Sequence, residues 1–266
     1  MSIPKRISYC WFGGNPLPDR VKKCIDSWKR ICPDYEIIRW DEKNYNINKI
    51  PFIKEAYKEK KWAFVADYAR LDIIYEIGGI YLDTDVELIK RPDELLILDA
   101  FMCIDKEKLL INTGLGFGAK PGNIIIKELM GSYHNASFYK ADGTFNQKAC
   151  TIYTTEYFMQ YGYVKEDKRQ IVKEISIFPS EYLCPMDYET GKIDITNNTI
   201  GIHWYDASWL SKSDKKIHNI EANIKGIFPK KVALIMCKIY RNSYRFLEYT
   251  SKGILWKKAK RKILKK

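Results

Sequence analysis

Residues 62–88, WAFVADYARLDIIYEIGGIYLDTDVEL, leave the chain few ways to fold. Trp62 to Ile77 is its longest helical pattern, and Gly78 and Gly79 stop it, because glycine can take the left-handed conformation that closes a helix. A strand starts almost at once, with Ile80, Tyr81 and Leu82 as its apolar part. A helix that hands its chain directly to a short apolar strand is half of an α/β unit, so the rest of the sequence should alternate in the same way.

It does. Arg6 to Phe12, RISYCWF, is aromatic and β-favouring, and GGNPLPD behind it is turn chemistry. After Pro18, residues Val21, Cys24, Ile25 and Trp28 fall at i, i+3, i+4 and i+7 and predict an amphipathic helix ending before Pro33. Tyr35 to Trp40 reads as the next strand. This order with short connections predicts a parallel pair joined by a crossover helix. Further strands are expected at Ala100 to Ile104, Leu109 to Gly118 and Thr199 to Trp204, with helices near Asn123 to Met130 and Thr155 to Tyr161. The expected class is α/β, with helices on both faces of the sheet.

Composition narrows the class further. At 46% hydrophobic and 14% aromatic, 266 residues are ample for a buried core. No stretch approaches a membrane span, and MSIPKRISYC lacks the long apolar block of a secretory signal, so the expected location is the cytoplasm. The seven cysteines are scattered and never spaced CxxC, which predicts buried thiols rather than a disulfide framework or zinc site. Of the net charge of +12, residues 225–266 carry +13 and residues 1–224 only −1. Basicity confined to one end suggests an appended arm, and no nucleic-acid partner is expected. The division predicted is a catalytic domain over 1–217 and a basic, amphipathic helical extension over 218–266.

Asp83 and Asp85 stand directly after the IYL strand. In an extended segment residues i and i+2 share a side, so both carboxylates should aim at one point with Thr84 facing away. Two anions held that close repel unless a cation lies between them, and Mg²⁺ or Mn²⁺ with room for substrate phosphates is the economical answer. A solvated loop is the ordinary alternative. The position beyond a strand's carboxyl end, where open α/β sheets bind ligands, favours the ion. Asp67 and Arg70, at i and i+3 on the preceding helix, read either as a surface ion pair or as a sugar and phosphate clamp.

The block WAFVADYARLDIIYEIGGIYLDTDVEL, with IPKRISYCWFGG near the start and IHWYDASW near residue 205, resembles the DxD-containing glycosyltransferases of family thirty-two over roughly residues 3–210. That family includes bacterial capsule and lipopolysaccharide enzymes and fungal initiating mannosyltransferases, and is related to the clostridial glucosylating toxins. The resemblance implies a GT-A type, Rossmann-like nucleotide-sugar-binding sheet and a retaining hexosyl transfer. Asp83 and Asp85 would bridge ribose and diphosphate through Mn²⁺ or Mg²⁺, with Thr84 between them beside the donor. Asp67 and Arg70 match the Asp-x-x-Arg that holds the donor sugar and phosphate. Trp11 stands where related enzymes stack the base. His203 and the Ser208 and Trp209 pair match the motif that completes the metal site and closes over the diphosphate. Ala66 departs from the serine common before the helix aspartate.

Each assignment has an ordinary alternative: Trp11 as core, His203 as a core histidine bonded to a carbonyl, Asn112 as a turn residue rather than a contact to donor or acceptor hydroxyls. Two rival functions also stand. A haloacid-dehalogenase-like phosphohydrolase places DxD after an apolar strand, but Glu87 occupies its usual Thr or Val position. A non-catalytic basic module binding a membrane or nucleic acid is the other. The tail mixes large apolar residues with Lys and Arg as surface-lying helices do, which predicts peripheral attachment to the anionic inner face of the plasma membrane. The expected partners are a nucleotide-sugar donor, UDP-hexose with galactose favoured, and a glycan or lipid-linked glycan acceptor in bacterial surface polysaccharide synthesis.

Overall fold

A computed structural model describes residues 2–134, 136–188, 190–205, 216, 217, 220, 221, 224 and 226–251. By contact the chain forms two compact units, Met1–Asp187 with Ile193–Trp209 and Tyr188–Lys192 with Leu210–Lys266. The predicted boundary at 217 falls inside the second of these.

The first unit is built on a seven-stranded sheet. Strand β1 (Arg6–Cys10) leads through helix α1 (Asp19–Ile31) to β2 (Glu36–Trp40), and the two strands pair in parallel from Arg6 with Glu36 to Cys10 with Trp40. This is the crossover unit read from the sequence. Helices α2 (Pro51–Lys58) and α3 (Trp62–Ile77) follow, then β3 (Gly79–Tyr81), parallel to β1. Strand β4 (Val86–Leu88) leaves the main sheet, and β5 (Ala100–Cys103) and β6 (Phe117–Ala119) return to it. Helices α4 (Ile124–His134) and α5 (Cys150–Met159) precede β7 (Gln170–Val172) and β8 (Ile175–Phe178). Strand β9 (Gly201–His203) pairs antiparallel with β4 in a small second sheet. The main sheet is ordered β2-β1-β3-β6-β5-β8-β7 and is mixed, because β6 runs antiparallel to both β3 and β5, and β7 to β8.

Alternation along the strands separates two cores. Ile7, Ile80, Phe101 and Cys103 pack with α1 through Val21, Cys24, Ile25 and Trp28 on one face. Tyr81, Met102, Phe117 and Ile177 pack with α2, α3, α4 and α5 on the other. Helices therefore cover both faces, as expected of this α/β class. All seven cysteines are buried, and none is in a disulfide.

Helix α3 is enclosed, with every residue from Val65 to Ile74 buried. Its polar residues must then find partners inside the protein. Asp72 receives the Lys49 ammonium at 2.7 Å and the Tyr45 hydroxyl at 2.8 Å. Gly78 closes the helix at φ 65°, and Gly79 follows at φ 102° with no room for a Cβ, which would lie 2.9 Å from the Arg6 carbonyl oxygen. Two glycines are thus required to turn a buried helix straight into a central strand.

The sequence misjudged one long segment. Leu109 to Gly118 is not a strand: only Phe117 and Gly118 belong to β6, and Leu109 to Gly116 is a loop bridging Ile111 to Ile104. Its apolar residues, Ile111 and Leu115, are buried, and this burial mimicked a strand pattern. Strands β4, β7 and β8 and helix α2 are too short for their periodicity to stand out.

Candidate active site

The end of β3 shapes the site. Val86 N–H donates to the Asp83 carbonyl at 3.1 Å, so Asp83 to Val86 is a turn rather than the extended segment expected. The turn exists because the chain must swing from the main sheet into β4. Its consequence is that the two carboxylates are not carried to one side by strand pleating. Asp83 faces helix α3, and Asp85 faces β9.

On the Asp83 side stands Arg70, 4% exposed, within 3.3 Å of the Asp83 carboxylate and 3.2 Å of Asp67. Its Nε donates to the Ala66 carbonyl at 3.1 Å, and its guanidinium lies 5.0 Å from the centre of the Tyr81 ring. The Tyr81 hydroxyl donates to Asp83 at 3.0 Å. Asp67 and Arg70 are therefore no surface pair; they are an interior assembly in which one cation serves two carboxylates.

Asp67 is fixed from a second direction. Burial raises its pKa, while Arg70 and the backbone N–H and thiol of Cys150 favour the charged form. Cys150 is the first residue of α5, whose N-terminus has no capping bond from its own side chains. The Asp67 carboxylate thus lies beside the N-terminus of α5, where a negative charge is favoured. Burial pushes the Cys150 thiol pKa up, so it remains a neutral donor. Neither Tyr81 nor Cys150 was visible as a site residue in the sequence. Tyr81 read as a strand apolar residue, and Cys150 is brought in only by the packing of α5.

On the Asp85 side, β9 places His203 opposite Val86, and Trp204 N–H donates to the Asp85 carbonyl at 2.9 Å. The His203 Nε2 lies 3.3 Å from the Asp85 carboxylate. Burial opposes charge on the ring, but Asp85 outweighs it and the imidazole pKa is raised to about 10. Its Nδ1 is buried without a hydrogen-bond partner. The two sides feel one another: burial first, and the Asp85 charge with it, raises the Asp83 pKa to about 6, against the lowering by Arg70 and His203.

The loop before β6 forms a third wall. Gly114 accepts the Asp83 N–H at 3.0 Å through its carbonyl and donates its own N–H to the Asn112 side chain at 2.8 Å. Asn112 is therefore a turn residue at the edge of the site. Thr84 is partly buried at the corner of the Asp83 turn. Trp11 is partly buried just beyond the carboxyl end of β1, its indole donating to the Asn15 carbonyl at 2.7 Å. Because β1 and β3 are parallel and pair Ser8 with Tyr81, Trp11 and Asp83 emerge from the same end of the sheet. Ser208 and Trp209 lie outside the described residues.

Among the described residues no group of three or more His, Cys, Asp and Glu side chains is arranged to hold a metal ion. The chemistry of the donor set still fits one. Mg²⁺ is usually bound through one or two carboxylates with substrate phosphates completing the shell, and carboxylate oxygens suit Mn²⁺ as well. Asp83, Asp85 and His203, whose Nδ1 is buried without a hydrogen-bond partner, supply such groups.

Residues 18–102, which carry α3 and both aspartates, match the family described as the glycosyltransferase sugar-binding region containing the DXD motif. On an α/β sheet fold, the stretch that carries the buried Arg70 and both aspartates is thus the part of the chain similar to that sugar-binding region. The chain is 31% identical over 124 residues to inositol phosphoceramide mannosyltransferase 3 of Schizosaccharomyces pombe, covering 44% of this chain and 33% of that protein. It is 28% identical over 240 residues to inositol phosphoceramide mannosyltransferase 1 of the same yeast, covering 81% of this chain and 68% of that protein. A solved galactosyltransferase, LgtC with donor and acceptor sugar analogues, superposes with a TM-score of 0.45 at 13% identity, covering 85% of this chain and 98% of that one.

Two measurements check this geometry. A Cβ on Gly114 would lie 2.3 Å from an Asp83 carboxylate oxygen, whereas one on Gly131 in α4 meets nothing within 4 Å. In urea unfolding Gly114→Ala should lose about 1–3 kcal/mol and Gly131→Ala gain roughly 0.5–1 kcal/mol; an unchanged Gly114→Ala would contradict the close approach. The His203 pair makes metal-free stability depend on pH. A folded pKa of about 10 against an ordinary 6.5 gives stabilisation that is complete below 6.5 and lost as pH rises towards 10. With chelator present, His203→Gln should flatten that decline; the same slope in both proteins would refute the pairing.

Proposed function

We propose that the protein is a metal-dependent glycosyltransferase that moves a hexose from a nucleotide diphosphate sugar to a glycan or lipid-linked glycan. The observation that carries this reading is the buried Arg70 held between Asp67 and Asp83 at a strand end, with Asp85 and His203 on the opposite wall. Such a site can receive a diphosphate. Asp83, Asp85 and His203 would hold Mn²⁺ or Mg²⁺, which when bound supplies positive charge to the leaving diphosphate.

The protein's own groups do the rest. Arg70 offers a fixed, desolvated guanidinium to the phosphates, where charge grows as the glycosyl bond breaks. Burial makes that charge effective, since little water competes with it. Asp67, anchored by Cys150, offers its carboxylate to sugar hydroxyls. Trp11, at the same end of the sheet, is the platform proposed for the base. Asp83 and Asp85 are occupied as ligands and so are poor general bases. The retaining course, in which the acceptor hydroxyl attacks from the leaving-group side, rests on the family resemblance.

The donor proposed from the sequence is a UDP-hexose, with galactose favoured. A mannosyl donor is the second reading, because both yeast relatives are named inositol phosphoceramide mannosyltransferases. A role in bacterial surface polysaccharide synthesis at the cytoplasmic side of the membrane completes the proposal.

The test is release of nucleotide from UDP-galactose and from GDP-mannose, with Mn²⁺, with Mg²⁺ and with chelator. One donor should be turned over only with metal, and Asp85→Ala and Arg70→Lys should each lower the rate about 10²–10³-fold. Equal rates in the variants, or release of inorganic phosphate without sugar transfer or hydrolysis, would favour a phosphohydrolase instead.

A further inference from the structure

The second unit holds helix α6 (Lys230–Ser251). At about 100° per residue, Ala233 and Cys237 lie on one side of it, and both are buried, with the Cys237 thiol donating to the Glu221 carbonyl. On that side Arg241 reaches back to the Glu221 carboxylate at 2.5 Å. One apolar stripe is thus used for packing. A second runs along the opposite side. Val232, Ile235, Ile239 and Phe246 recur at intervals of three, four and seven, and they are 45%, 62%, 61% and 60% exposed. Phe228, just before the helix and 39% exposed, extends the same line.

A helix with a stripe inside and a second stripe outside has more apolar surface than its own unit covers. Along one edge the outer stripe is bordered by Lys231 and Lys238, both exposed. The sequence beyond Ser251 holds eight Lys or Arg in fifteen residues and no acid. No helix among the described residues is long and apolar enough to cross a membrane. A surface that pairs large aliphatic and aromatic side chains with a rim of lysines, at a strongly basic end of the chain, is complementary to a bilayer with anionic headgroups.

We propose that the outer stripe of α6, Phe228, Val232, Ile235, Ile239 and Phe246 with Lys231 and Lys238, is a membrane-docking face for anionic lipid. The helix lies in the interface plane, its apolar side chains below the headgroups and its lysines among them. The proposal is independent of the transfer reaction and stands or falls without it.

The experiment is co-sedimentation of the full chain with phosphatidylcholine vesicles, with and without phosphatidylglycerol. Wild type should bind the anionic vesicles and release in high salt. The double variant Ile235→Ser, Ile239→Ser removes exposed side chains only, so its unfolding midpoint should match wild type, and its vesicle affinity should fall roughly tenfold or more. Lys231→Glu with Lys238→Glu should weaken binding to the anionic vesicles and leave the weak binding to neutral ones unchanged. Failure of the wild type to bind, or binding untouched by the serine pair, would overturn the proposal. So would sedimentation velocity showing a dimer that the serine pair dissolves, since the stripe would then be a contact between copies.

Discussion

The architecture of the site depends on one buried cation. Arg70 sits inside a helix that has no exposed face in its middle, and a guanidinium there is tolerable only if fully partnered. Asp67, Asp83, the Ala66 carbonyl and the Tyr81 ring provide those partners. They also tie together three pieces of chain. Asp67 links α3 to the N-terminus of α5, Asp83 links α3 to the end of β3, and Gly114 draws the following loop against Asp83. The same group that would face a leaving diphosphate therefore organises the walls around it.

Charge balance makes the site receptive. Three carboxylates, Asp67, Asp83 and Asp85, face two cations, Arg70 and a His203 ring that Asp85 keeps protonated. The His203 proton acts as a counterion for Asp85. A divalent cation held through this ring would have to displace that proton, so metal binding and ring deprotonation would be linked. The pKa of Asp83 is raised first by burial, and the neighbouring Asp85 charge adds to the rise against the lowering by Arg70 and His203.

Much of this was legible in the sequence because it rests on short-range pattern. The i, i+3, i+4, i+7 spacing gave α1, the glycine pair marked the end of α3, and the parallel pairing of β1 with β2 followed from one crossover. The aspartates were found by their place after IYL. Their geometry was not, because the turn at Asp83 to Val86 is imposed by the pairing of β4 with β9, a partner more than a hundred residues away. The same distance hid the roles of Cys150 and of Tyr81, whose hydroxyl matters only because α3 packs against β3. The loop at Leu109 to Gly116 read as a strand since its buried residues imitate one. The burial of Asp67 and Arg70 was equally invisible: an i, i+3 pair looks the same on paper at the surface and in the core.

The measurement that bears most directly on this account is thermal unfolding of wild type and Asp85→Ala with UDP or GDP, each with Mn²⁺ and with chelator, because a ligand bound only by the folded state must raise the midpoint. The account predicts that one nucleotide raises the midpoint of wild type only when Mn²⁺ is present, and that Asp85→Ala abolishes the rise. A midpoint unmoved by either nucleotide with Mn²⁺, or a rise that persists in Asp85→Ala, would contradict it.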